Sequence, residues 1–343
     1  MPTEPEPLLP QPAYDLDPGV PFQGNNSPRQ GDPTAFAVEL PVPDPPVTGP
    51  PLFESPAEPQ AKRRRIPNFG HTALFFILAV VSMVLTELAA VFIAVGTHIF
   101  GKEPTADLLR DPRLLIPTMA ISYLISGVVA WAVFRDVWKL PFTLGIRWNP
   151  GTARRRLYAF LGLGVALSVS VQFLSNFLPI PKALPIDDFF RTPSDVWMVA
   201  VFGTLVAPVF EELAFRGFLF PSLASGWDWV VHRSSFRQST EAAISPGAGT
   251  IAMPAEPRWS VGAIIFSCTI TSIGFALLHA DQLAHSWAPL LILFGVSIAL
   301  CLIRLFAHSL AASTLVHATY NCTIFVLMFF ATDGFRHLDK LNQ

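Results

Sequence analysis

Charge is scarce in this chain. Only 14% of its 343 residues are Asp, Glu, Lys or Arg, against 51% apolar ones. With a mean hydropathy of +0.46, that balance excludes an ordinary soluble domain and points to a polytopic membrane protein. Cysteine is scarcer still: Cys268, Cys301 and Cys322 are the three present, each inside an apolar run. They exclude a disulfide framework and a thiolate site of zinc-finger spacing, and read as small core hydrophobes. There is no basic excess either. The net charge of −2 gives no ground for a nucleic-acid partner. The first residues lack the basic start and early apolar core of a signal peptide. Internal repeats, and the paired halves of many transporters, are also missing.

What is present begins with a Pro-rich segment, residues 1–66, with scattered acids and few aromatics. It cannot bury enough apolar surface to offset its ordering entropy, so it reads as a disordered tail. It ends in Lys62-Arg63-Arg64-Arg65, directly before an apolar run from about Thr72 to Phe100. A basic cluster at that place marks a cytoplasmic side. Glu87 lies in this run, where it could face the bundle interior, and has no assigned role. A second span covers about Leu114 to Phe134. The loop after it carries Arg135, Lys139, Arg147, Arg154, Arg155 and Arg156, again cytoplasmic by sign. Trp131, Trp138 and Trp148 suit an interfacial belt there. Residues 67–156 thus form a transmembrane hairpin with a basic loop.

Residues 157–331 hold the rest of the spans. The third is about Leu157 to Leu178, broken by Pro179, Pro181 and Pro185. The fourth starts near Ser194 as N-cap. Ser225 to Arg258 reads as a long, mobile cytoplasmic loop, with Trp227 and Trp229 at the interface. The fifth span is Trp259 to about His279, the sixth about Trp287 to Ile303, and the seventh about Ser309 to Ala331. A short polar tail, 332–343, follows. The fold expected is an all-α polytopic bundle of about seven transmembrane helices.

Against this apolar background one stretch stands out: Pro208-Val209-Phe210-Glu211-Glu212-Leu213-Ala214-Phe215-Arg216-Gly217. A charged side chain at the centre of a span costs roughly 2.5–3.5 kcal/mol even on lenient insertion scales. Three ionisable groups there need a reason. Glu212 and Arg216 are i and i+4, so they share a helix face and can pair. Glu211 points about 100° away and is left to face a cavity. The plain alternative is a buried ionic latch that only orders helices. Two more polar clusters fall in spans. His279 ends the fifth, and His317 and Asn321 share one face of the seventh. Each alone could be an interhelical hydrogen-bonder. Together with Glu211 they put a carboxylate, two imidazoles and an amide on three helices. A carboxylate and an imidazole can orient and deprotonate water, and imidazole and amide donors can steady an oxyanion. Glu211, His279 and His317 could equally hold zinc with an open position. His285 and His308 are reserve candidates.

The order Glu-Glu-x-x-x-Arg (Glu211 to Arg216), Phe-x-x-x-His (Phe275 to His279) and His-x-x-x-Asn (His317 to Asn321) resembles the CPBP family of intramembrane proteases. That group includes the type II CAAX prenyl endopeptidases and the bacterial Abi proteins. The resemblance covers roughly residues 155–331. It implies a hydrolase acting on peptide bonds, cutting a membrane-anchored or prenylated CAAX-type peptide. It implies Glu211 as the base that activates water and His279 as its partner on that water. His317 and Asn321 would form the oxyanion site, with Glu212 and Arg216 as structural support. It allows a metal-dependent version with zinc and a non-enzymatic version, a bacteriocin self-immunity or scaffolding protein. A proton-coupled transporter is the rival from outside the family. The compact loops point to a prokaryotic inner membrane, with the N-terminus cytoplasmic. Alternating spans bring Glu211 near His279 if the fourth helix extends past Arg216, to about Leu223.

Overall fold

The computed structural model describes residues 66–101, 111–181, 183–231 and 259–339. The expected Pro-rich tail, the Lys62–Arg65 cluster and most of the Ser225–Arg258 loop lie outside these. Among the described residues the structure is helical, and seven helices are long and apolar enough to cross a membrane. They are α1 Phe69–Thr97, α2 Pro112–Trp138, α3 Leu157–Ser175, α4 Pro193–Val231, α5 Val261–Leu278, α6 Trp287–Ala307 and α7 Leu310–Ala331.

Short polar side chains start most of them. Asn68 accepts from the His71 N–H at 3.0 Å, and His71 Nδ1 accepts from the Asn68 N–H at 3.2 Å, a reciprocal cap for α1. Asp111 caps α2 with Pro112 at the first helical position. Ser260 caps α5 and Ser309 caps α7. At α4 the expected Ser194 cap is displaced by two residues. Thr192 Oγ1 accepts from the Asp195 N–H at 3.2 Å, and Pro193 takes the first helical position.

The helix carrying the glutamates is the longest, 39 residues. It passes Leu223, as the alternation of spans requires, and continues to Val231. The sequence reading ended it too early because Ser225 to Val231 is mixed in polarity. Tertiary partners hold that end. Trp227 stacks on Phe266 of α5 at 4.6 Å. Asp228 is buried and accepts from the Ser260 hydroxyl at 2.6 Å and from the Ser260 N–H at 3.2 Å.

Two widened, π-helical turns interrupt α4, at Phe202–Val206 and Leu213–Leu219. Each ends two residues before a proline, Pro208 and Pro221. A proline in a helix has no N–H to donate, and its ring presses on the preceding turn. Opening that turn by one residue relieves the clash. Such bulges are frequent at functional sites.

An aromatic core fixes α1 and α2 to α4. Phe75 stacks on Phe218 at 4.3 Å, and Phe134, Trp138 and Phe142 surround the same ring. Thr72 Oγ1 donates to the Phe218 carbonyl at 3.1 Å and shares a 2.6 Å hydrogen bond with Ser222. Trp138 is therefore a core residue and not part of an interfacial belt, while Trp131 stays exposed. A second cluster packs α3, α6 and α7 around Val296, Leu300, Val316 and Tyr320. Here Gly164 permits the closest approach. A Cβ at that position would lie 2.6 Å from Thr319 Cβ and 2.8 Å from the Val316 carbonyl.

Three further expectations need correction. Cys268 and Cys301 are buried, but Cys322 is exposed on α7. Glu87 is exposed on α1 and does not face the bundle interior. The segment after α7 is not simply a polar tail: Phe335 is buried between Trp197 and Phe329, with ring centroids 5.2 and 5.3 Å away.

Candidate active site

The site grows from the middle of α4. Glu212 and Arg216 are fully buried, and Arg216 Nη1 donates to Glu212 Oε1 at 2.9 Å. The other end of the guanidinium crosses to α6. Nη2 donates to the Ser297 hydroxyl at 2.6 Å and to the Ser297 carbonyl at 3.0 Å. Its face lies over the Phe275 ring of α5 at 4.8 Å, a cation–π contact. One arginine thus ties three helices together. Two buried charges in an apolar interior are tolerable only when paired and hydrogen-bonded, and these are both.

His317 of α7 completes the group. Its Nδ1 lies 3.1 Å from Glu212 Oε1, and its Nε2 lies 3.7 Å from Glu211 Oε2. The ring spans the two adjacent glutamates and is itself buried. Glu212 Oε1 already accepts from Arg216, so it accepts from His317 too and the proton sits on Nδ1. That leaves Nε2 turned to Glu211. The Glu211 side chain keeps 12% of its surface accessible, against none for Glu212. The two carboxylates therefore differ: one is locked, the other borders accessible space. Phe210 beside it stacks on Tyr123 of α2 at 4.1 Å.

His279 sits where α5 ends. Its Nδ1 bonds the Phe275 carbonyl one turn back, at 2.9 Å. A carbonyl only accepts, so Nδ1 carries the proton and Nε2 is an acceptor. The Phe275 ring contacts both imidazoles, with centroids 5.0 Å from His279 and 5.9 Å from His317. The structure brings Glu211, Glu212, Arg216 and His317 together, and His279 shares with His317 and Arg216 a contact to the Phe275 ring. Asn321, one turn beyond His317, donates from Nδ2 to the Gly203 carbonyl at 2.6 Å. In the widened turn Phe202–Val206, the N–H that would bond Gly203 O belongs to Pro208, which has none. The Asn321 amide supplies the missing donor.

The reserve histidines stay outside. His285 pairs with Asp281 at 3.0 Å on an exposed turn, and His308 is the exposed C-cap of α6. Sequence reasoning missed Ser297, Gly203 and the part played by the Phe275 ring. Pro208 in the middle of a span was the available signal for Gly203. Nothing local marks Ser297, which meets Arg216 only through packing of α6.

Among the described residues no three His, Cys, Asp or Glu side chains converge on one point. His317 Nδ1 is committed to Glu212, and the Phe275 ring touches both imidazoles.

Residues 193–323 match the model of a protein family described as Type II CAAX prenyl endopeptidase Rce1-like. The matched segment begins with α4, ends inside α7 and contains all six residues of the candidate site. It agrees with the CPBP resemblance read from the three motifs. No curated protein and no solved structure gave a match.

Proposed function

From an Rce1-like domain carried by a seven-span helical bundle, we propose an intramembrane endopeptidase that hydrolyses a membrane-anchored or prenylated CAAX-type peptide with a glutamate-activated water. The observation that carries this reading is the unequal glutamate pair. Arg216 and His317 lock Glu212, while Glu211 alone borders accessible space, with His317 Nε2 at 3.7 Å.

In this mechanism Glu211 takes the proton from a water as it attacks the scissile carbonyl, and later delivers that proton to the leaving amine. His279 Nε2, free to accept, holds the water on the side facing α5. The oxyanion is steadied by the second N–H of the Asn321 amide, and by His317 Nε2 while the water proton taken by Glu211 rests on it. Glu212 and Arg216 are positioning residues. They hold His317 in one orientation and tie α4 to α6. The substrate is a lipidated or membrane-anchored peptide, reaching the site from the bilayer. The basic residues between α2 and α3 support a cytoplasmic position for that edge of the bundle and for the N-terminal side of α1. A prokaryotic inner membrane is the proposed location.

The test is cleavage of a quenched fluorescent farnesylated CAAX peptide by purified protein in detergent. Glu211→Gln is expected to lower kcat by at least about a thousandfold, the scale of losing a positioned general base, with an unchanged melting temperature. His279→Ala should lower it less, about tenfold to a hundredfold, and a chelator should leave wild-type activity intact. Full activity in Glu211→Gln would overturn the mechanism. A chelator-sensitive enzyme restored by zinc would replace it with a metal-dependent one.

A further inference from the structure

The basic residues after α2 do more than orient the chain. A pocket of about 370 Å³ opens there, lined by Trp131, Arg135, Lys139, Leu140, Pro141, Phe142 and Thr143. That volume lies within the range of small-ligand sites. Its two cations are exposed. The Arg135 guanidinium lies over the Trp131 ring at 5.5 Å, and the lining residue Phe142 stacks flat against the buried Trp138 at 5.7 Å. Lys139 closes α2 in a left-handed conformation. Asp136 Oδ1 is 3.8 Å from Arg135 Nε, but Asp136 does not line the pocket.

The approach to this pocket distinguishes its ligand. Ile121, Leu124, Val128 and Trp131 are all exposed and recur at three- and four-residue spacing along α2, ending at Arg135. Such spacing makes one continuous stripe on a helix. An apolar track therefore runs along the lipid-facing side of α2 into a cationic, aromatic-walled pocket at its end. A free phosphate or a soluble carboxylate would use only the pocket. A molecule with an anionic headgroup and an acyl chain uses both.

We infer that this pocket binds the headgroup of an anionic phospholipid, with one acyl chain lying along Ile121, Leu124, Val128 and Trp131. Arg135 and Lys139 hold the phosphate, and Trp131 sits at the level where headgroup meets chain.

Native mass spectrometry of the full chain released from neutral detergent tests this, with phosphatidylglycerol, phosphatidylcholine and water-soluble glycerol 3-phosphate as probes. One retained phosphatidylglycerol is expected, with little phosphatidylcholine and no glycerol 3-phosphate. The R135Q/K139Q double variant should weaken phosphatidylglycerol about thirtyfold, roughly fivefold per cation. Thr143→Glu leaves both cations in place but adds a carboxylate to the pocket, and should weaken it too. Thermal unfolding confirms that each variant is folded, and Thr143→Glu decides if the double variant is not. Equal retention of both lipids overturns the inference. So does displacement of the lipid by glycerol 3-phosphate, or an equal loss in a control R154Q/R155Q/R156Q variant.

Discussion

Arg216 shows how much one side chain can be asked to do. It neutralises Glu212, reaches Ser297 on α6 and covers Phe275 on α5. Removing one partner of a buried pair leaves an uncompensated charge, which costs about 3–5 kcal/mol. Glu212→Ala and Arg216→Ala are therefore expected to unfold at clearly lower temperature than wild type. Arg216→Lys keeps the charge but loses the fork that serves Glu212 and Ser297 at once. It should recover only part of the loss, measured by thermal unfolding in the same detergent. Glu211→Gln, which breaks no lock, should leave stability unchanged. This contrast separates positioning from chemistry without an activity assay. The Glu212–Arg216 pair was legible in the sequence because both partners lie on one helix, four residues apart. His317 bridging both glutamates was not, because it depends on the depth at which α7 packs, a long-range quantity that no local spacing encodes.

At the scale of the element, α4 is a helix adjusted around its prolines. Gly203 O loses its donor to Pro208, and Asn321 replaces it at 2.6 Å. An unsatisfied buried acceptor costs about 1–3 kcal/mol, and Gly203 is only partly buried, so Asn321→Ala should be destabilising towards the lower end of that range. Pro208→Ala restores an N–H. In that background the same Asn321→Ala change should cost much less, and a double-mutant cycle by thermal unfolding measures the coupling. Additive effects would show that Pro208 is not the reason for the bond. The sequence placed His317 and Asn321 on one face, yet it did not say that the amide would be spent on α4's own backbone. A mid-span proline three residues before a charged motif was a readable sign of an irregular turn. Which carbonyl it would orphan depends on the turn being π and not α.

The start of α2 offers a pH test outside the spans. The Arg113 side chain hydrogen-bonds Asp111 through two nitrogens, at 2.6 Å for the shortest contact, and holds the Asp111 carboxyl below its ordinary range. A lowered value means stability that is present above the ordinary carboxylate pKa of about 3.9 and is lost as pH falls through the lower folded value. Asp111→Asn should remove this dependence. The cap itself should survive in large part, since Asn caps well. Melting temperature against pH, from about pH 5 downward, checks both.

For the whole molecule, the bundle and the order of its spans were visible in hydropathy and in the sign of the loops, because a bilayer leaves a chain few other solutions. The places where the sequence misled, Trp138, Ser225 to Val231 and Phe335, are places where a residue that looks interfacial or polar is enclosed by a neighbour. One of these has a bearing on connectivity. The end of α4 grips the start of α5 through Asp228 and Ser260, through Trp227 on Phe266, and through Phe220 against Trp259 at 5.4 Å. Val231 and Trp259, the described residues on either side of segment 232–258, are therefore carried by one fastened pair of helix ends. These contacts are expected to keep Glu211 and His317 together without the peptide bonds of that segment. Two co-expressed fragments, divided at about residue 245 within that segment, should co-purify as one complex that cleaves the farnesylated peptide. The proposed protease would then work as a non-covalent pair, with its base on one polypeptide and its imidazoles on the other.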